Sequence, residues 1–121
     1  MSAAAEADFD LGYRANVDTT RSLLFELAKM CPGIRVLYAS SEAVYGSPLP
    51  EHPITERDIP TPEMSYGCQK IICETLINDL TRRGLLDGFS LRFPTISVRP
   101  GKPSPAVSAF LSGIKIGRAH V

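Results

Sequence analysis

Tyr66 and Lys70 stand four residues apart in Ser65-Tyr66-Gly67-Cys68-Gln69-Lys70, a spacing that puts both side chains on one helix face about one turn apart. An ammonium beside a phenol favours the phenolate. Bringing a tyrosine pKa from about 10 to about 7 requires roughly 4 kcal/mol, at about 1.36 kcal/mol per unit. A cation about 4 Å away, at an effective dielectric of about 20, supplies on the order of 4 kcal/mol. The pair is thus equipped for general acid–base work near neutral pH, the proton transfer that alcohol-to-ketone interconversion requires. A Tyr-x-x-x-Lys match arises by chance about 0.13 times in a chain of this composition, so the pair gains weight only from a third group. Ser40 and Ser41 supply it. They follow the run Ile34 to Ala39, at the carboxyl end of an expected strand, where open α/β sheets bind ligands.

The elements that must position these residues read as follows. Apolar residues recur at helical intervals from about Glu6 to Met30 (Phe9, Tyr13, Val17, Leu23, Leu24, Leu27), and Pro32-Gly33 supplies the stop. This predicts one long amphipathic helix. Ile34 to Ala39 is short and apolar on both faces, as in a strand buried within a parallel sheet. Residues 41 to 63 hold five of the ten prolines, a loop long enough to be functional. Thr61-Pro62 reads as an N-cap and first helical position, opening a helix to about Arg83 with Ile72, Leu76 and Leu80 inward. Phe89 to Phe93 is a second strand, and a Pro/Gly-rich stretch from Pro94 to Pro105 leads to a last helix, Ala106 to Ile116. Helix, strand, helix, strand, helix implies parallel strands joined by crossovers, an α/β fold. Two strands leave open edges and uncovered apolar faces, so the expected object is part of a doubly wound sheet.

Composition removes other classes of function. Thirteen basic residues balance thirteen acidic ones, so no field attracts nucleic acid or an anionic membrane. No apolar stretch approaches the roughly 20 residues that span a bilayer, and no basic-then-apolar leader opens the chain. The default compartment is the cytosol. Cys31, Cys68 and Cys73 lack zinc-site spacing, and His52 and His120 are far apart, so no metal is expected and the thiols are read as reduced.

Ala39-Ser40-Ser41-Glu42-Ala43-Val44-Tyr45-Gly46, followed by Ser65-Tyr66-Gly67-Cys68-Gln69-Lys70, resembles the extended short-chain dehydrogenase/reductase family, the NAD-dependent epimerases and dehydratases. The resemblance implies a partial Rossmann-type sheet over residues 1 to 116, the C-terminal part of an NAD(P)-binding domain, with 117 to 121 a tail outside the pattern. It implies catalytic roles for Ser41, Tyr66, Lys70 and Asn16. Ser41 would hydrogen-bond the reacting oxygen, Tyr66 transfer the proton, and Lys70 tune Tyr66 and hold the nicotinamide ribose. Asn16, in Arg14-Ala15-Asn16-Val17-Asp18, would hold the geometry or a relay water; a helix Asn bonded only locally is an equal alternative. Ser40, Tyr66, Lys70, Pro94, Thr95 and Ile96 would line the cofactor, NAD.

Within the family, Glu42-Ala43 breaks the acidic pair usual in dehydratases, and Thr95 stands where nucleotide-sugar enzymes commonly carry Asn. The stretch Thr81 to Gly88, with Leu91 to Ile96 and Val98 to Pro103, is similar to the D-erythronate dehydrogenase branch. The substrate it implies is a small sugar acid, with Arg99 as the candidate fork for its carboxylate; a surface Arg in a proline-rich loop is an equal alternative. A nucleotide-sugar epimerase, or a non-catalytic fragment acting by interaction, are the competing expectations. Family resemblance also implies a homodimer through the helices at Glu6 to Met30 and Thr61 to Arg83. No Gly-x-x-Gly-x-x-Gly follows an apolar strand in the 121 residues, so the pyrophosphate cradle at a helix N-terminus is not among them. The polypeptide of these residues alone is therefore expected to bind NAD poorly and to be inactive.

Overall fold

A computed structural model describes residues 2–94. The first helical region is not one helix but a chain of pieces: α1 (Ser2–Ala7), α2 (Phe9–Tyr13), a π-helical turn (Arg14–Asp18) and α3 (Thr19–Met30). Asp8 makes the break. Its backbone is extended (φ −139°, ψ 101°) and its carboxylate accepts the Leu11 N–H at 2.9 Å, so it caps a new helix where apolar spacing alone read continuity. The π turn inserts one extra residue. The Thr19 N–H and hydroxyl reach back five residues to the Arg14 carbonyl, the hydroxyl at 3.0 Å, and the Thr20 hydroxyl donates to the Asn16 carbonyl at 2.7 Å.

Two parallel strands follow, β1 (Arg35–Ser41) and β2 (Asp87–Phe93), in register from Arg35↔Asp87 to Ser41↔Phe93. Between them lie a short 3-10 turn (Glu42–Val44), the proline-rich loop and α4 (Ser65–Arg82), a strand–helix–strand unit. α4 ends at Gly84, whose φ of +72° suits a residue without Cβ. The Thr81 hydroxyl then pins the helix end to β2, accepting the Gly88 N–H at 3.0 Å.

The core lies between α3, α4 and one face of the sheet: Leu24, Ile77, Leu80 and Leu86, with Ala28, Ile34, Val36, Tyr38 and Leu76 packed around them. Among the described residues nothing covers the other sheet face. Leu37 is 55% exposed, Phe89 43% and Leu91 38%, so β1 is covered on one side rather than both. This agrees with the expectation that two strands bury only part of their apolar surface.

The start and the inward face of α4 also differ from expectation. Met64 is extended (φ −123°, ψ 149°) and offers no side-chain cap; the first N–H, of Ser65, is taken at 2.9 Å by the Glu6 carboxylate of α1. Thr61 is used elsewhere, its hydroxyl accepting the Gly46 N–H at 3.3 Å. Ile72 is 41% exposed, and the buried face is Gly67, Gln69, Cys73, Glu74, Ile77 and Leu80. Two polar residues thus sit where an apolar count placed none, because each has a partner to pair with. The expected last helix, Ala106 to Ile116, and the tail from 117 lie outside the described residues.

Candidate active site

β1 ends at Ser41, and that hydroxyl starts the next turn. Ser41 Oγ accepts the Ala43 N–H at 3.2 Å, which leaves its own proton free to donate. The first turn of α4 is pressed onto the same spot. A Cβ at Gly67 would stand 2.1 Å from the Ala43 carbonyl oxygen and 2.9 Å from Pro62 Cβ, so only glycine lets the residue after Tyr66 approach the turn that follows Ser41.

One turn along α4, Lys70 is drawn to the strand end. Its Nζ donates to the Ala39 carbonyl at 2.8 Å and lies 4.6 Å from the Tyr38 ring centre and 5.5 Å from that of Tyr66. Burial pushes the ammonium below the ordinary lysine range, opposed by the nearby Cys73 and Glu74. Burial also pushes the Tyr38 phenol far up, helped by its hydrogen bond with Cys73. Of the two tyrosines beside the cation, Tyr38 is therefore held neutral.

Asn16 sits within the π turn, and its bonding is not only local. Nδ2 donates to Gln69 Oε1 at 2.7 Å, across 53 residues, and its carbonyl accepts Cys73 Sγ at 3.3 Å. Helical π turns are frequent at functional sites, and this one ties α4 to the first helical region on both sides of Lys70. Gln69 Nε2 is buried with no partner among the described residues.

The Ser40 side chain points to α4, is 5% exposed, and gives its proton to Glu74 Oε1, so any cofactor contact at this position falls to the backbone. Strand alternation decides this, since successive side chains face opposite ways. Pro94 is exposed at the end of β2, while Thr95, Ile96 and Arg99 lie outside the described residues.

Sequence reasoning missed a polar cluster behind Lys70. Glu74 accepts Arg92 Nη2 at 2.7 Å and Arg92 Nε at 3.1 and 3.2 Å. Arg92 Nη1 donates to the Tyr45 hydroxyl at 2.6 Å, which donates onward to the Thr55 carbonyl at 3.0 Å. Burial by itself would raise the Glu74 carboxyl, but the bonds from Arg92 and Ser40 outweigh it and hold it below the usual carboxylate range. The guanidinium is in turn held charged, mainly by Glu74. The available signal was Glu74 four residues after Lys70, on the same helix face.

The loop walls a cleft of about 220 Å³ lined by Tyr45, Gly46, Pro48, Leu49, Asp58 and Ile59 among others. A wider one, about 400 Å³ and lined by Phe9, Asp10, Tyr13, Arg14 and Asp18, includes none of Ser41, Tyr66 and Lys70. All three cysteines are free, Cys73 buried and the others exposed. No helix among the described residues is long and apolar enough to cross a membrane.

The same elements recur in known proteins. The chain is 53% identical over 115 residues to D-erythronate dehydrogenase of Cupriavidus necator, covering 94% of this chain and 35% of that protein. It is 46% identical over 114 residues to D-erythronate dehydrogenase of Haemophilus influenzae, covering 94% and 36%. Among solved structures, a nucleoside-diphosphate-sugar epimerase from Agrobacterium tumefaciens superposes with a TM-score of 0.80 at 49% identity, over 93% of this chain and 34% of that one. The chain thus spans about a third of the length of the relatives it matches. The model of the NAD dependent epimerase/dehydratase family matches residues 3–119, which takes in the strand end, the π turn and α4 together, and the chain belongs to that family.

Proposed function

We propose that residues 1–121 carry the proton-transfer part of an NAD-dependent dehydrogenase that oxidises a secondary alcohol of a small sugar acid resembling D-erythronate. The observation that carries this is the placement of Lys70, pinned at 2.8 Å to the end of β1 with its charge on the rings of Tyr38 and Tyr66. Only one of its three N–H groups is used by Ala39, so two remain for the ribose hydroxyls of NAD. That donor set fits the nicotinamide end of the cofactor. When bound, NAD supplies the hydride acceptor. Ser41 donates to the reacting oxygen, the Tyr66 phenolate takes the hydroxyl proton, and Lys70 holds that phenolate by its charge. Asn16 keeps α4 in place through Gln69. Arg99 is the candidate for the substrate carboxylate, Ser40, Pro94, Thr95 and Ile96 for backbone contacts to the nicotinamide.

Identity to the Agrobacterium tumefaciens epimerase favours a second reading, interconversion of nucleotide sugars; Thr95, in place of Asn, favours the first. Both are tested in a full-length chimera in which residues 1–121 replace the matching third of the Cupriavidus necator enzyme. NAD reduction on addition of erythronate is the expected result, and turnover of a nucleotide sugar without it would reverse the order. Calorimetric titration of the 121-residue polypeptide alone should give no micromolar NAD binding, because its sequence holds no glycine-rich cradle; tight binding would overturn that expectation.

The close approach at Gly67 gives a sharper prediction. In the chimera Gly67→Ala is expected to cost about 1–3 kcal/mol in urea melts, as overpacking does, and to lower kcat by separating Tyr66 from Ser41. Unchanged kinetics would mean that the first turn of α4 does not set the site.

Exposed Phe9, Leu23, Phe25 and Met30 on the first helical region support a homodimer formed by that region and α4. Light scattering after size exclusion should give twice the chimera's mass, and a monomer would exclude it.

A further inference from the structure

Lys70 and Glu74 are four residues apart on α4, a spacing at which a lysine and a glutamate on one helix ordinarily meet as an ion pair. Here they do not. Both carboxylate oxygens are taken by the Arg92 fork at 2.7, 3.1 and 3.2 Å, and Oε1 also accepts the Ser40 hydroxyl. The pair is well shielded, with side chains 9% exposed for Glu74 and 21% for Arg92. Arg92 is itself anchored, through Tyr45 Oη at 2.6 Å and the Tyr45 ring at 5.1 Å. Lys70 donates instead to Ala39 and faces aromatic rings.

The groups facing Lys70 are Tyr38 from β1 and Tyr66, Cys73 and Glu74 from its own helix; Arg92 from β2 stands behind Glu74, and Tyr45 from the loop behind Arg92. Of these, only Glu74 carries a full negative charge near neutral pH. It is the group able to draw the ammonium off the phenol.

Resting on the reading of Tyr66 and Lys70 above, we propose that Arg92 is a positioning residue for proton transfer: by occupying both oxygens of Glu74, it keeps that carboxylate from capturing the Lys70 ammonium, which stays turned to Tyr66. The planar guanidinium suits this task because it covers two oxygens at once, which a lysine does not. Without it, Glu74 pairs with Lys70 one turn away, and the Tyr66 phenolate loses the charge that stabilises it.

The test is the pH dependence of kcat in the chimera, together with NMR titration of the Lys70 side chain. In Arg92→Met the alkaline-rising limb should move up by about one pH unit, the size of shift that one displaced charge produces near a protein surface. The loss is then about tenfold at neutral pH, disappears at alkaline pH, and falls on kcat more than on KM. Lys70 should titrate higher as well. Arg92→Met/Glu74→Gln, which removes the competing anion, should return the limb and the Lys70 titration to their wild-type positions. Arg92→Lys is the variant for the case in which Arg92→Met folds poorly, with a smaller shift in the same direction expected. A limb and a Lys70 titration that stay put in the Arg92 variants, or a double variant that stays shifted, would overturn the proposal. Tyr66→Phe in the same assay separates the two levels of argument. Full activity there rejects the reading of Tyr66 while the Lys70 titration still decides the role of Arg92. Lost activity there with unmoved Arg92 variants rejects Arg92 alone.

Discussion

Tyr66→Phe in the full-length chimera is expected to lower kcat by about 10²- to 10⁴-fold with little change in KM, the range a positioned general acid–base contributes. The substitution removes one oxygen and leaves the ring, so packing against Lys70 persists and the loss reports proton transfer. Tyr38→Phe is the matched control. Its ring also lies under Lys70, at 4.6 Å, but burial pushes its phenol far above the ordinary value, so it is in the wrong state to accept a proton. Tyr38→Phe should retain activity near the wild-type level. Equal losses from the two substitutions would mean that the cation, rather than one phenol, is the functional element.

The two tyrosines also show how far the sequence could be read. The placement of Tyr66 and Lys70 on one helix was legible because helical spacing fixes which side chains share a face, and that of Ser41 at a strand end because it closes an apolar run. Local chemistry suffices for both. The partners of Ser40 and Asn16 were not legible, since Glu74 and Gln69 are 34 and 53 residues away and no local rule brings them together. Family resemblance marked both positions, but not that the Ser40 side chain is buried against Glu74.

The misplaced boundaries have a common origin. Asp8 breaks the first helix with a cap three residues long in reach, and Glu6 starts α4 from a different helix altogether. Hydrophobic periodicity is silent about both. It also turned α4 by one position, choosing Ile72 over Cys73, because a face that buries Gln69 and Glu74 does not look apolar until their partners are in view. The polar residues inside α4 are thus where sequence reading fails and where the site is organised.

Glu74→Ala tests that organisation through stability, with an expected loss of about 3–5 kcal/mol in the chimera, the cost of removing one partner from a buried ion pair. Arg92 would keep its charge with only Tyr45 to bond, and the Ser40 hydroxyl would lose its acceptor. Replacing both partners, as Glu74→Leu with Arg92→Met, should recover much of the loss, since no unpaired charge then remains inside. The pH dependence has a definite sign. The folded carboxyl is held below its ordinary value by Arg92 and Ser40 against the opposing effect of burial. Such a group stabilises the fold fully above its unfolded pKa of about 4.3, and the contribution is lost as pH falls through the folded value. The gap between wild-type and Glu74→Ala urea midpoints should therefore be widest near neutral pH and begin to narrow below about pH 4. A gap of constant width across that range would show that the carboxylate's charge contributes nothing and that Glu74 matters only for the space it fills.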